Sequence, residues 1–207
     1  VLLDPMPGKE NLDALSDVVR NLVGKPVSFI LNTHEHDDHT GGNAYFVQSG
    51  AVLIKDLASF TEINAASAKS HTPEDKVFFH KESNSIFVGD IYDSSWHPTF
   101  YAGGVSGFNN AIESILKLGD DQSIVVPGHG KPTSKAKLRV FWRSTLEWVS
   151  KVKKLKDDGK TAQEMKDDAE LKAILEKFNV ENRAPFIPEK ALVRFIERTF
   201  ALIEKSS

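Results

Sequence analysis

Asn32-Thr33-His34-Glu35-His36-Asp37-Asp38-His39-Thr40-Gly41-Gly42-Asn43 is the stretch on which the reading of this chain turns. In extended backbone alternate residues point the same way, so His34, His36 and Asp38 converge on one side, and a turn beginning near Asp38 swings His39 toward a neighbouring point. Three imidazoles and a carboxylate inside six residues have the composition of a metal site. The chain has 7 His in 207 residues, so their crowding here is not a product of composition. Residues 27–31 form a short, partly β-branched apolar run without helical period, read as a buried strand, which puts the cluster at a strand's C-terminal end.

Working outward, Leu12, Leu15, Val18, Val19 and Leu22 follow helical spacing after Asp4 and a turn at 5–8, with Gly24 and Pro26 as a stop. On the other side, Gly41-Gly42 allows a tight turn, 43–48 a short helix and 51–55 another strand, a βαβ rhythm. Further on, 57–69 reads as a helix, 77–80 and 86–88 as a hairpin around Glu82-Ser83-Asn84-Ser85, 111–118 as a helix and 123–126 as a buried strand. Beyond Pro132 the composition becomes helical. A long helix over 135–156 carries Phe141, Trp142 and Trp148, an aromatic stripe expected to be core, and Gly159 breaks it. Helices at 162–166, 171–178 and 189–204 follow, their mixed charges read as solvated faces.

The remaining polar signals lie at strand exits, where rigid sheets hold ligands. His71 sits in Ser70-His71-Thr72-Pro73, Asp90 follows Val88-Gly89, and His129 lies in Pro127-Gly128-His129-Gly130. His80, in mid-strand, is expected to lie outside the ligand set. With no cysteine, disulfides, thiolate metal sites and cysteine nucleophiles are all excluded. A metal must use imidazole and carboxylate, which suits Zn²⁺ and leaves Fe²⁺ or Mn²⁺ open. A content of 40% hydrophobic and 27% charged residues fits one globular domain or two small ones, and no apolar run is long enough to span a bilayer. The net charge of -3 argues against nucleic acid as a partner.

Over residues 2–133, in the right order, the chain resembles the metallo-β-lactamase-fold hydrolase superfamily. Residues 32–43 match its signature, His71-Thr72-Pro73 its second motif, Val88-Gly89-Asp90 its third and Val126-Pro127-Gly128-His129-Gly130 its fourth. The resemblance implies an α/β fold, an αβ/βα sandwich with the site at one edge of its two sheets, over residues 1–133, with a C-terminal helical extension, 134–207, packed on it. It also implies that His34, His36 and His71 bind a first metal, that Asp38, His39 and His129 bind a second, and that Asp90 bridges them. Two zinc ions so placed would hold a bridging water whose pKa falls from 15.7 to about 7, giving hydroxide at neutral pH. Asp38 is the candidate catalytic residue, orienting that hydroxide. The implied activity is cleavage of a small-molecule ester, thioester, lactone or amide, a β-lactam included. Asp90 sets the chain apart from the lactamases with Cys at the bridging position and brings it nearer the glyoxalase II-like and lactonase-like branch. Two alternatives stay open: a mononuclear iron oxygenase acting on thiols or persulfides, and a non-catalytic fragment stabilised by metal.

Two departures from the family shape the remaining expectations. The family usually has strands before the segment matching 1–4, which is where the sequence given begins, and only 32 positions separate His39 from His71. A homodimer that completes or covers the shortened sheets is therefore expected, and an exported location is favoured over the cytoplasm. The stretch 92–108, with Trp96, His97, Phe100, Tyr101 and Gly103-Gly104, reads either as a mobile aromatic substrate loop or as a buried cap on the sheet. Trp96, His97 and Tyr101 are its candidate substrate contacts.

Overall fold

The position of the His-rich stretch follows from the short apolar strand before it. In the computed structural model, which describes residues 1–55 and 60–204, that strand is β2 (Phe29–Leu31), paired in parallel with β1 (Leu2–Leu3) and β3 (Val52–Leu53). Parallel neighbours require crossovers. Here α1 (Lys9–Val23) supplies the first, and the single-turn α2 (Asp37–Thr40) with α3 (Asn43–Gln48) supplies the second. The helices bury one face of this sheet around Leu12, Ile30, Phe46 and Ala51. As the spacing predicts, α1 ends at Gly24, which takes a left-handed conformation (φ 70°) and returns its N–H to the Arg20 carbonyl.

The second sheet has the order β4 (Ile63–Ala68), β5 (Asp75–His80), β6 (Ser85–Gly89), β7 (Ile124–Pro127), β8 (Thr133–Ser134). The expected hairpin is β5–β6, and β6 runs parallel to β7 through a crossover containing α4 (Gly104–Lys117). Its outer face is covered by α4 and α5 (Lys135–Asp157), on which α6 (Ala162–Met165), α7 (Ala169–Glu176) and α8 (Glu189–Glu204) form a further helical layer. One continuous core links Ile86, Val88 and Val125 on the strands to Phe108, Ile112 and Ile115 on α4, Trp148 and Val152 on α5, and Phe195 on α8. Each such side chain contributes about 1.5–3 kcal/mol when fully buried, so this half holds most of the fold's apolar stabilisation. Phe141 and Trp148 are core as expected, while half-buried Trp142 donates from its Nε1 to Asn109 Oδ1 at 2.6 Å. Between the sheets lies a cleft of about 800 Å³, with Leu31 and Leu53 on one side and Ala65 and Phe78 on the other. The architecture is the expected α/β arrangement with a helical C-terminal part.

Two local expectations need correction. The helix read over 57–69 is instead the strand β4 from Ile63, with residues 57–59 outside the described residues. Its alanines favour a helix locally, but six residues pair in antiparallel register with β5 from Ile63–His80 to Ala68–Asp75, and non-local pairing overrides that preference. The helix expected at 111–118 starts earlier, at Gly104, so the end of the 92–108 stretch is helical. Glycine is what lets α4 begin there. A Cβ on Gly103 or Gly107 would sit 1.9 or 2.2 Å from the Lys69 carbonyl oxygen, so α4 packs directly on backbone two residues before His71.

Candidate metal centre

All seven predicted donors meet at one edge of the two sheets. His34 and His36 leave the end of β2, and His36 then caps α2, accepting the backbone N–H groups of His39 and Thr40. That single turn brings Asp38 and His39 back beside the extended residues. His71 lies between β4 and β5, Asp90 directly follows β6, and His129 follows β7. The loop carrying His71 is tied down by buried Asp75, which accepts the backbone N–H groups of Ser70 and Thr72 and the Thr72 hydroxyl.

Hydrogen bonds behind His34, His39 and His71 fix which nitrogen these rings turn inward. The Thr33 hydroxyl gives its one hydrogen to Asp4 Oδ2 at 2.6 Å, so at 3.1 Å from His34 Nδ1 it accepts, and His34 Nε2 is left as a bare lone pair. His39 Nδ1 donates to Asp4 Oδ2 at 3.0 Å, which leaves its Nε2 as the atom turned to Asp90. His71 Nδ1 faces the Thr99 carbonyl oxygen at 3.0 Å and the Thr99 hydroxyl oxygen at 2.8 Å. The bare His34 and His71 Nε2 atoms then lie 3.0 and 3.1 Å from His36 Nδ1. A carboxylate or carbonyl behind each ligating imidazole is the usual device for aiming a metal-binding histidine.

The donors form two groups with atoms within 4.8 Å of one another: His34, His36, His71 and Asp90 in one, Asp38, His39 and His129 in the other. The Asp90 carboxylate stands between them. Its Oδ2 is 3.5 Å from His71 Nε2 and 3.6 Å from His129 Nε2, and its Oδ1 is 3.2 Å from His39 Nε2. Asp38 Oδ2 closes the second group at 3.1 Å from His129 Nε2. His39 Nε2 and Asp90 Oδ1 are buried yet have no hydrogen-bond partner among the described residues, because the short contact between them is not aligned as one. Leaving such atoms unsatisfied costs about 1–3 kcal/mol each. A divalent cation among these imidazole and carboxylate donors would satisfy both, so the residues present fit a metal.

The electrostatics point the same way. Burial pushes the His34 imidazole down to about 4, keeping it neutral as a ligand must be. Burial would also lower His39, but its hydrogen bond to Asp4 and the Asp90 carboxylate beside its Nε2 outweigh that and raise it to about 10. For Asp90 burial works against ionisation, and the His129 and His39 rings beside it still hold it well below the usual carboxylate range. The Asp90 carboxylate likewise raises His129. The centre is built to hold positive charge.

The structure does not bring Trp96, His97 and Tyr101 to this donor set. His97 is buried, with Nδ1 bonded to the Pro98 carbonyl and its ring stacked on Phe195 at 4.1 Å. Trp96 lies beneath the Arg183 guanidinium, and Tyr101 beneath that of Arg198. The stretch is the buried cap, not the mobile loop. His80, as expected, is away from the site, pairing with Ser83. Asp4 and Thr99 were not foreseen. Asp4 carried a legible signal, being a carboxylate at the exit of β1, whereas nothing in the sequence marks Thr99.

The family model of the metallo-beta-lactamase superfamily matches residues 1–54, which include H-x-H-x-D-H. Solved structures share the architecture over about two thirds of the chain: a metallo-beta-lactamase from Hirschia baltica aligns with TM-score 0.56 and 17% identity over 66% of this chain and 76% of that one. The mono-zinc form of the metallo-beta-lactamase FIM-1 from Pseudomonas aeruginosa aligns with TM-score 0.59 and 15% identity over 70% and 77%. The chain has the metallo-β-lactamase fold. Among curated proteins it is similar to the probable hydroxyacylglutathione hydrolase glo2 of Schizosaccharomyces pombe, 29% identical over 58% of this chain and 55% of the relative. A hydroxyacylglutathione hydrolase of Polaromonas sp. is 26% identical over 61% and 56%. The chain spans about half the length of the curated relatives it matches. Among the described residues no helix is long and apolar enough to cross a membrane.

Proposed function

We propose that this metallo-β-lactamase-fold chain is a dinuclear zinc hydrolase acting on a small acylated thiol, the substrate class carried in the name of its hydroxyacylglutathione hydrolase relatives. The observation that carries the reading is the pair of donor groups sharing the Asp90 carboxylate, each imidazole aimed inward by a hydrogen bond or by its neighbours. His34, His36, His71 and Asp90 would hold one ion, and Asp38, His39, His129 and the same Asp90 the other. When bound, the ions supply Lewis acidity, lowering the pKa of water and polarising the acyl oxygen. Lactone, ester and amide cleavage remain within reach of the same donor set.

The chain's own groups do the rest. Asp38 is open to solvent, its side chain 53% exposed, and its Oδ2 is placed to orient the attacking water and take up a proton from it. Attack at the acyl carbon breaks the acyl–sulfur bond, releasing a carboxylic acid and a thiol, and that proton is available to the leaving sulfur. No serine or cysteine nucleophile is required, in keeping with a chain that has no cysteine.

The test is metal analysis of the chain together with a hydrolysis panel. About two zinc ions per chain and turnover of an S-acyl glutathione support the proposal. A zinc-replete chain inactive toward every thioester, ester, lactone and lactam overturns it, as does a chain that takes up iron alone and consumes oxygen with a thiol.

A further inference from the structure

We propose that Thr99 is a positioning residue for His71, and that the C-terminal segment 183–198 acts on the metal centre through it. The inference rests on the metal reading above. The Thr99 hydroxyl donates to the Asp90 carbonyl at 3.3 Å, which uses its single hydrogen. Toward His71 it can therefore only accept, and the Thr99 carbonyl can only accept as well. Two acceptors on one side fix the proton on His71 Nδ1 and leave Nε2 as the lone pair facing His36 and Asp90. One threonine thus sets both the tautomer and the ring plane of His71, and it ties that ring to the backbone of Asp90.

Thr99 is itself held from outside the sandwich. On the residues before it, Arg183 bonds the Ser95 carbonyl and lies over Trp96 at 5.1 Å, and His97 stacks on Phe195. Phe195 is clasped on its other face by Trp148, ring to ring at 4.4 Å and 5°. After it, Arg198 lies over Tyr101 at 4.3 Å. The cap is gripped on both sides of Thr99 by α8 and the segment before it. A helix that contributes no donor therefore has a route to the site, through Thr99 to His71.

The test is calorimetric titration of the chelator-treated full chain with Zn²⁺, comparing wild type with Thr99→Val, Thr99→Ser and Phe195→Leu. Loss of an orienting partner typically weakens a metal site about 10- to 100-fold. Thr99→Val is expected to show that loss at one of the two ions, Thr99→Ser to restore wild-type affinity, and Phe195→Leu, which keeps the core filled but removes the face under His97, to weaken the same ion about threefold or more. Long-range ¹H–¹⁵N spectra of the zinc-free chain supply a second readout that does not depend on metal. Wild-type His71 is expected wholly as the Nδ1–H tautomer; Thr99→Val keeps the carbonyl acceptor and loses the hydroxyl, so a fraction of Nε2–H is expected beside it. Unchanged zinc affinity and an unchanged tautomer in a folded Thr99→Val chain overturn the role of Thr99. Unchanged affinity in Phe195→Leu, with Thr99→Val weakened, overturns the route from α8. A wild-type chain that binds no zinc is a separate result that overturns the metal reading and this proposal with it.

Discussion

The two donor groups use the same imidazole and carboxylate chemistry but are held differently. In the first, the His34 side chain is 1% exposed and that of His71 10%, their rings are backed by Thr33 and Thr99, and His36 alone among the four donors is exposed. In the second, His39 is buried against Asp4, but Asp38 and His129 are 53% and 45% exposed and face each other at the solvent edge. Burial restricts rotamers and strengthens each charge contact, so the first group is the preorganised ion site. The second keeps two donors free to move with substrate and water. One group is built to hold, the other to work.

The largest effect should come from the residue the groups share. Asp90→Ala is expected to abolish binding of both zinc ions and to lower hydrolysis by at least about a thousandfold, read by metal analysis and turnover. Retention of two ions would show that the groups are independent. Next, His129→Ala should cut zinc from two ions to one while the buried group stays loaded. Loss of both ions together would dissolve the distinction drawn here and make the centre one cooperative cluster.

The brace behind the buried group has a pH signature. Burial lowers His97 to about 4, below its ordinary value of 6.5. Between those two values the unfolded chain binds the proton and the folded one does not, so stability is complete above about pH 6.5 and falls as pH drops toward 4. The loss should reach about 3 kcal/mol. Thermal melts of zinc-free protein between pH 4 and 7 should show a steeper acid decline in wild type than in His97→Phe. Equal slopes would mean His97 titrates normally. The smallest effect expected is that of Asp4→Asn, which keeps the shape but removes the charge behind His39 and Thr33. Zinc should bind about 10- to 100-fold more weakly, or about 1.4–2.7 kcal/mol, with the exposed group suffering more. If the buried group suffers equally, Thr33 relays Asp4 to His34 as strongly as Asp4 acts on His39.

Much of the donor set was legible because its signals are local. H-x-H-x-D-H declares itself through strand alternation followed by one helical turn, and His71, Asp90 and His129 stand at strand exits. Asp4 obeys the same rule at the exit of β1 and was open to the same reading. Thr99 was not, because its partners His71 and Asp90 lie 28 and 9 residues away in the chain. The misread helix at 57–69 failed for a related reason. Asn64, Ala65, Ala66 and Ser67 carry no strand pattern, and β5 alone makes them a strand.

The sequence by itself determined which residues could bind a metal and the order in which strand exits would present them, since side-chain alternation, turns and the absence of cysteine are properties of neighbouring residues. Only the tertiary structure decided that these donors split into a more buried and a more exposed group, which nitrogen His34, His39 and His71 present, and that an aromatic stretch open to two readings, substrate loop or cap, is a cap held by α8. Those outcomes depend on hydrogen bonds and packing between residues far apart in the chain, whose partners no local pattern names.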